Sequence, residues 1–174
     1  MAFITGGILV FGFMAVYYGA AGMFANIALI SNIALIIAVM AMFGATLTLP
    51  GMAGLVLTIG MSVDANVIIN ERIRELLRQG LPIRKAIEEG YNNAMSAIVD
   101  SNVTAVLAAV AMYVYGTGPI KGFAVVMAVG VLISMLTAIV GTHGLFDAFL
   151  TRIEKSKNIR FWFGMPNSYL KGGK

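Results

Sequence analysis

From Met1 to Val63 the chain carries no Asp, Glu, Lys, Arg or His. Wound into helix at 1.5 Å per residue, such a stretch runs roughly 90 Å, about three times the 30 Å hydrocarbon core of a bilayer. Only a chain solvated by lipid leaves that much continuous sequence without charge. A removable targeting segment has a basic start and a short apolar core, whereas this stretch opens Met1-Ala2-Phe3 and is several times too long. Composition agrees: hydrophobic residues make up 59% of the 174 residues and charged ones 11%, against roughly 25% charged in soluble domains.

Five apolar segments, near 3–20, 24–47, 51–70, 94–115 and 120–142, approach the length of about 20 residues that a spanning helix needs. The predicted fold is therefore an all-α membrane protein, a bundle of about five transmembrane helices over residues 1–150. Turn chemistry marks the breaks. Gly19 to Asn26 is rich in small residues, Leu49-Pro50-Gly51 interrupts a helix, and Gly116-Thr117-Gly118-Pro119 makes a tight reversal. Gly51, Gly54, Gly60, Gly122 and Gly130 permit close helix contact.

The long connection, 71–93, carries Arg72, Arg74, Arg78, Arg84 and Lys85. A basic and aromatic tail, 151–174, adds Arg152, Lys155, Lys157, Arg160, Lys171 and Lys174. By the positive-inside rule both are cytoplasmic, which places Lys121 and, counting back two crossings, Met1 outside. A start on that side without a signal leads us to expect a further segment upstream. Ile73, Leu76 and Leu77, then Ile83, Ala86 and Ile87 beyond Gly80-Leu81-Pro82, recur at helical spacing. They predict two short amphipathic helices along the membrane surface. Phe161, Trp162, Phe163 and Tyr169 read as interfacial anchors. The formal charge of +4 sits in these two blocks, a pattern suited to anionic lipid headgroups and not to nucleic acid.

No cysteine is present and His143 is the only histidine, so neither a disulfide nor a metal site is expected; the twelve methionines read as core or lipid-facing filler, and no cofactor is implied. The informative residues are two carboxylates inside apolar segments, Asp64 and Asp100, because an ionised side chain at bilayer depth costs several kcal/mol unless something solvates or pairs it. Each lies about six residues from the cytoplasmic end of its segment, roughly 9 Å deep, on what should be antiparallel helices. Ser62, Asn66 and Asn70 accompany the first; Ser96, Asn102 and Thr104 accompany the second. Asp100 and Thr104, four apart, share a helix face, but Asp64 and Asn66 do not. Such carboxyls either exchange protons with a water-filled path or form a hydrogen-bonded pair that fixes packing.

The run from Thr48 through Val63-Asp64-Ala65-Asn66, followed by Glu71-Arg72-Ile73-Arg74, resembles the SecD branch of the SecD/SecF protein-export family. Gly90-Tyr91, Asp100-Ser101-Asn102-Val103-Thr104 and Gly116 to Ala124 fit its later spans in order and spacing, and Tyr17-Tyr18 and Asn26 to Asn32 fit upstream. The resemblance covers about residues 5–150. It implies half of a bundle of the resistance-nodulation-division superfamily in the bacterial inner membrane, driven by the proton gradient. It further implies Asp64 as the proton-relay residue, with Asp100, Asn102 and Thr104 matching a second polar motif on the neighbouring helix; together with the residue reading this makes Asp64 and Asp100 the candidate proton relay, with Asn66, Asn102 and Thr104 as supporting polar groups. The implied partners are SecF, the SecYEG translocon, YidC and the preprotein. Asn70 departs from the family pattern, which usually has Phe there, as do Leu76, in place of Glu, and Ala105, in place of Thr. No covalent intermediate is implied, and the chain is not expected to be an enzyme. Two competing readings are a non-conducting scaffold and a fragment of another transporter of the superfamily.

Overall fold

A computed structural model describes residues 2–42, 48–156 and 158–166. The described residues are helical, with no strand among them. In chain order the elements are α1 (Ala2–Tyr18), α2 (Ala20–Met42), α3 (Leu49–Arg78), α4 (Ile83–Tyr115), α5 (Gly118–Leu136), a π-helical turn (Thr137–Thr142), α6 (His143–Ser156) and α7 (Ile159–Phe163). Among the described residues four helices are long and apolar enough to cross a membrane: α2, α3, α4 and the run from Gly118 to Phe146. The shorter α1 is apolar over Thr5–Tyr18.

The helix starts follow the turn residues. Pro50 and Pro119 sit in the first turns of α3 and α5, where a missing N–H costs nothing and the fixed φ favours the helix. Gly80, at φ 86, ends α3 as the left-handed residue of a Schellman-type cap, with Leu81 N–H bonding Leu76 carbonyl at 3.2 Å.

Two sequence expectations about boundaries are corrected. The break anticipated over Gly19 to Asn26 shrinks to Gly19, at φ 61. Ala20, Ala21 and Ala25 are buried, and a Cβ on Gly22 would lie 2.6 Å from the Met14 backbone. The small residues thus bring α2 against α1 instead of ending the helix, and Asn26 Nδ2 donates to Phe11 carbonyl at 3.1 Å. Nor does the connection 71–93 form two separate surface helices. Its first part continues α3 to Arg78 and its second opens α4 at Ile83, leaving only 79–82 as the turn. The apolar faces that suggested lipid contact, Ile73, Leu76, Leu77, Ile83, Ala86 and Ile87, are buried in protein. A Cβ on Gly90 would come 3.2 Å from Ile73 Cα, a helix crossing that only glycine allows.

The chain divides into two compact units. The first comprises residues 1–27, 66–95 and 142–174. Phe146 is its aromatic centre, 5.4 Å from Phe24, 5.9 Å from Tyr91 and 6.1 Å from Phe163 by ring centroids. The tail belongs to this core. Ile153, Ile159, Phe163 and Met165 are each 1% exposed, and Trp162 donates its indole N–H to Ser156 Oγ at 2.7 Å. Of the expected interfacial anchors only Phe161 is exposed, while Tyr169, Lys157, Lys171 and Lys174 lie outside the described residues. Two left-handed glycines lock the tail in place: a Cβ on Gly19 would strike the Phe161 carbonyl, and one on Gly164 the Tyr17 carbonyl.

The second unit comprises residues 28–65 and 96–141, with α5 at its centre. Val126 and Ile133 of α5 pack with Ile36 and Met40 of α2. Met127 and Val131 pack with Ala109 of α4, beside Met61 of α3. Glycines set the α3–α5 approach: a Cβ on Gly54 would be 3.1 Å from the Phe123 carbonyl, and one on Gly130 would be 2.9 Å from Thr58 Cβ. Thr58 is held there by its own bond to the Gly54 carbonyl, 2.9 Å. Gly60, by contrast, has open space where its Cβ would be.

Gly130→Ala is therefore expected to lower the melting temperature of the detergent-solubilised chain by several degrees, an overpacking cost of about 1–3 kcal/mol. Gly60→Ala should shift it by the equivalent of no more than about 0.5 kcal/mol. Equal losses in the two variants would refute the α3–α5 contact as the tight one.

Candidate functional site

The candidate site sits on α3 and α4, and a helix advances about 100° per residue. Asp64 and Asn66 are thus about 200° apart around α3. The structure follows that angle: Asp64 is exposed, whereas Asn66 is 2% exposed and accepts a hydrogen bond from Thr142 Oγ1 at 2.9 Å. The same division holds on α4. Asp100 and Thr104 are exposed and Asn102 is buried. Thr104 Oγ1 donates to the Asp100 backbone carbonyl at 2.9 Å, a local bond that leaves the carboxylate untouched.

The five predicted residues therefore form two sets. Asp64, Asp100 and Thr104 look away from the chain's own packing, while Asn66 and Asn102 look into it. Gly60, one turn from Asp64, and Ser96, one turn from Asp100, are exposed as well. So are the apolar neighbours Leu57 and Ile68 on α3 and Val103 and Leu107 on α4. Asp64 and Asp100 are thus exposed among apolar residues, with Ser96 and Thr104 beside Asp100.

Their distance from the helix ends exceeds the expectation, because both helices run on past the predicted boundaries. Asp64 lies about 14 residues before the end of α3 and Asp100 about 17 after the start of α4, or roughly 21 and 26 Å along the axes. An aspartate at the bilayer centre costs about 2.5–3.5 kcal/mol on insertion scales. A helix face carrying such a group is poorly suited to lipid and well suited to a polar or hydrated surface.

Polar groups that sequence reasoning left aside complete the interior. Asn32, 0% exposed, donates from Nδ2 to Thr137 Oγ1 at 3.0 Å. Thr137 passes its own proton to the carbonyls of Ile133 and Ser134, at 3.0 and 3.1 Å. Such back-bonding loosens a helix, and the π-helical turn begins at this residue. Each end of the turn thus carries a threonine bonded to a buried asparagine: Thr137 with Asn32 in one unit, Thr142 with Asn66 in the other. The available signal was an isolated amide inside an apolar segment, which costs free energy unless bonded. Arg74 is a second such case, 6% exposed, with its guanidinium 4.5 Å from the Tyr17 ring centroid and Nη1 bonded to Glu71 at 2.8 Å. His143 packs edge-on against Tyr91, with centroids 4.8 Å apart.

With exposed carboxylates on apolar helices, this is the geometry of an integral membrane subunit, and the comparisons place it. The chain belongs to the SecD/SecF family of protein-export membrane proteins: residues 1–151 match the family described as "Protein export membrane protein SecD/SecF, C-terminal". Among its relatives, the protein translocase subunit SecD of Desulfurispirillum indicum is 54% identical over 142 residues, covering 82% of this chain and 28% of that one. SecD of Haemophilus influenzae is 51% identical over 148 residues, covering 84% and 24%. The crystal structure of SecDF from Thermus thermophilus, described as a translocon-associated membrane protein, superposes with a TM-score of 0.83 at 42% identity, covering 87% of this chain and 21% of that one. The chain thus spans about a quarter of the length of the relatives it matches.

The Thr142–Asn66 bond gives a direct test of the interior assignment. In a double-mutant cycle of Asn66→Leu and Thr142→Val, the two substitutions should couple by about 0.6 kcal/mol, the usual worth of an interhelical hydrogen bond in a membrane protein. Additive losses in the melting curves would mean the two side chains do not meet.

Proposed function

We propose that this chain is the membrane-embedded part of a SecD subunit in the bacterial inner membrane, and that it uses the proton gradient to assist preprotein translocation. The observation that carries this reading is the exposure of Asp64 and Asp100 on apolar helices. Deep in a bilayer an unpaired aspartate resists ionisation, because lipid disfavours the charged form; water or a protein dipole nearby restores it. A carboxyl whose surroundings alternate between those two conditions takes up a proton on one side and releases it on the other. Asp64 is the proposed relay and Asp100 its companion, with Thr104 beside it. Asn66 serves from inside, through its bond to Thr142, and Asn102 lies buried on the inner side of α4. No bond other than O–H is made or broken.

The outward carboxylates imply that another protein surface completes the path, and SecF is the proposed complement. Gly60 leaves room on α3 for a closely approaching helix. The SecYEG translocon, YidC and the preprotein are proposed to engage the larger assembly. The basic residues of 71–93 and of the tail 151–174 support a cytoplasmic position for both, with Thr117 on the outer side.

Asp64→Asn keeps size and polarity but removes the titrating group. In inverted or right-side-out vesicles it should abolish the proton-gradient-dependent part of export while leaving membrane abundance near wild type; Asp100→Asn should be milder. Wild-type gradient-dependent export in the Asp64→Asn variant would exclude the relay. Orientation is checked separately, since the chain has no cysteine and both Gln79 and Thr117 are exposed. A cysteine at Gln79 should resist an impermeant thiol reagent applied from outside, and one at Thr117 should react; labelling in the reverse sense would invert the topology.

A further inference from the structure

Asn70 lies one turn along α3 from Asn66 and is 1% exposed, yet neither its side-chain oxygen nor its nitrogen has a hydrogen-bond partner within the protein. One turn further, the Nε of Arg74 is likewise buried and unpartnered, although Nη1 of the same guanidinium is committed to Glu71. These residues belong to one compact unit, and Asn70 lies about 120° around α3 from Asp64. An amide kept dry in a protein interior forfeits all its hydrogen bonds with solvent, whereas immobilising a water molecule that restores them costs less. The two residues are four apart on α3, about 6 Å along its axis, so their side chains lie on neighbouring turns of one side of the helix. The donor and acceptor chemistry also matches: Asn70 offers both an acceptor and a donor, Arg74 Nε only a donor, and a single water oxygen accepts from one while its proton reaches the other.

We propose that Asn70 and Arg74 form a binding site for internal water on the protein-facing side of α3. The site continues outward to the Glu71 carboxylate, whose side chain is 39% exposed and meets bulk solvent. Its inner neighbour is Asn66, held by Thr142. Water seated there hydrates the guanidinium, whose Cζ lies 4.5 Å from the Tyr17 ring centroid and 5.3 Å from that of Tyr18.

The test uses the full-length subunit in its native membrane complex. A cryo-electron microscopy map at a resolution that shows ordered solvent should place water density within hydrogen-bonding distance of the Asn70 amide and of Arg74 Nε. Asn70→Leu, which is close in size but cannot hold water, should then lower the melting temperature of the complex by several degrees, and Asn70→Ser should keep most of the stability. A dry, side-chain-packed Asn70 in the map overturns the proposal, and so does a rise in melting temperature for Asn70→Leu, the result expected when an unbonded amide is removed. If the leucine variant does not accumulate, the map decides alone.

Discussion

A polar group inside a bilayer has to find a partner, and most of this structure follows from where α3 sends its polar groups. Around that helix three directions are in use. Thr58, Ser62 and Asn66 turn inward and are buried. Asp64 turns outward and is exposed. Arg74 reaches the Tyr17 ring and Glu71. The inward groups can be satisfied only by other helices of the same chain, so they fix packing, as Asn66 does with Thr142. The outward carboxylate has no such partner within the chain, and its free energy depends on what surrounds it.

This division separates stability from function along one helix. A hydrogen bond between helices in lipid is worth only about 0.6 kcal/mol, so Asn32 with Thr137 and Asn66 with Thr142 contribute less by strength than by direction. Close packing supplies the rest. Gly54 and Gly130 let α3 and α5 approach within the radius of a methyl group, and dispersion over such a contact accumulates where hydrophobic association cannot operate.

The tail shows a different economy. Its charged and aromatic residues suggested a segment lying at the headgroup level, yet Ile153, Ile159, Phe163 and Met165 are as buried as any residue of the spans. A basic aromatic sequence is consistent with either fate, because Arg and Lys stems and aromatic rings cover protein as readily as they meet headgroups. What selects burial is the pair of left-handed glycines, Gly19 and Gly164, which let α7 and the α1–α2 turn come together at backbone distance.

The absence of charge from Met1 to Val63, the apolar lengths and the turn residues determined by themselves that the chain is a helical membrane protein with carboxylates at depth. They even set Asp64 and Asn66 on opposite faces of α3, since helical periodicity requires no knowledge of neighbours. They did not determine where helices stop. A run such as Ile73, Leu76 and Leu77 has the same period whether its apolar face meets lipid or Gly90, and only the folded chain supplies the neighbour. Nor could they pair Asn32 with Thr137 or Asn66 with Thr142, for those contacts join residues about 105 and 76 positions apart. Which side of each helix is covered is a property of the whole packing, and the tertiary structure alone decided that the two aspartates are the groups left uncovered.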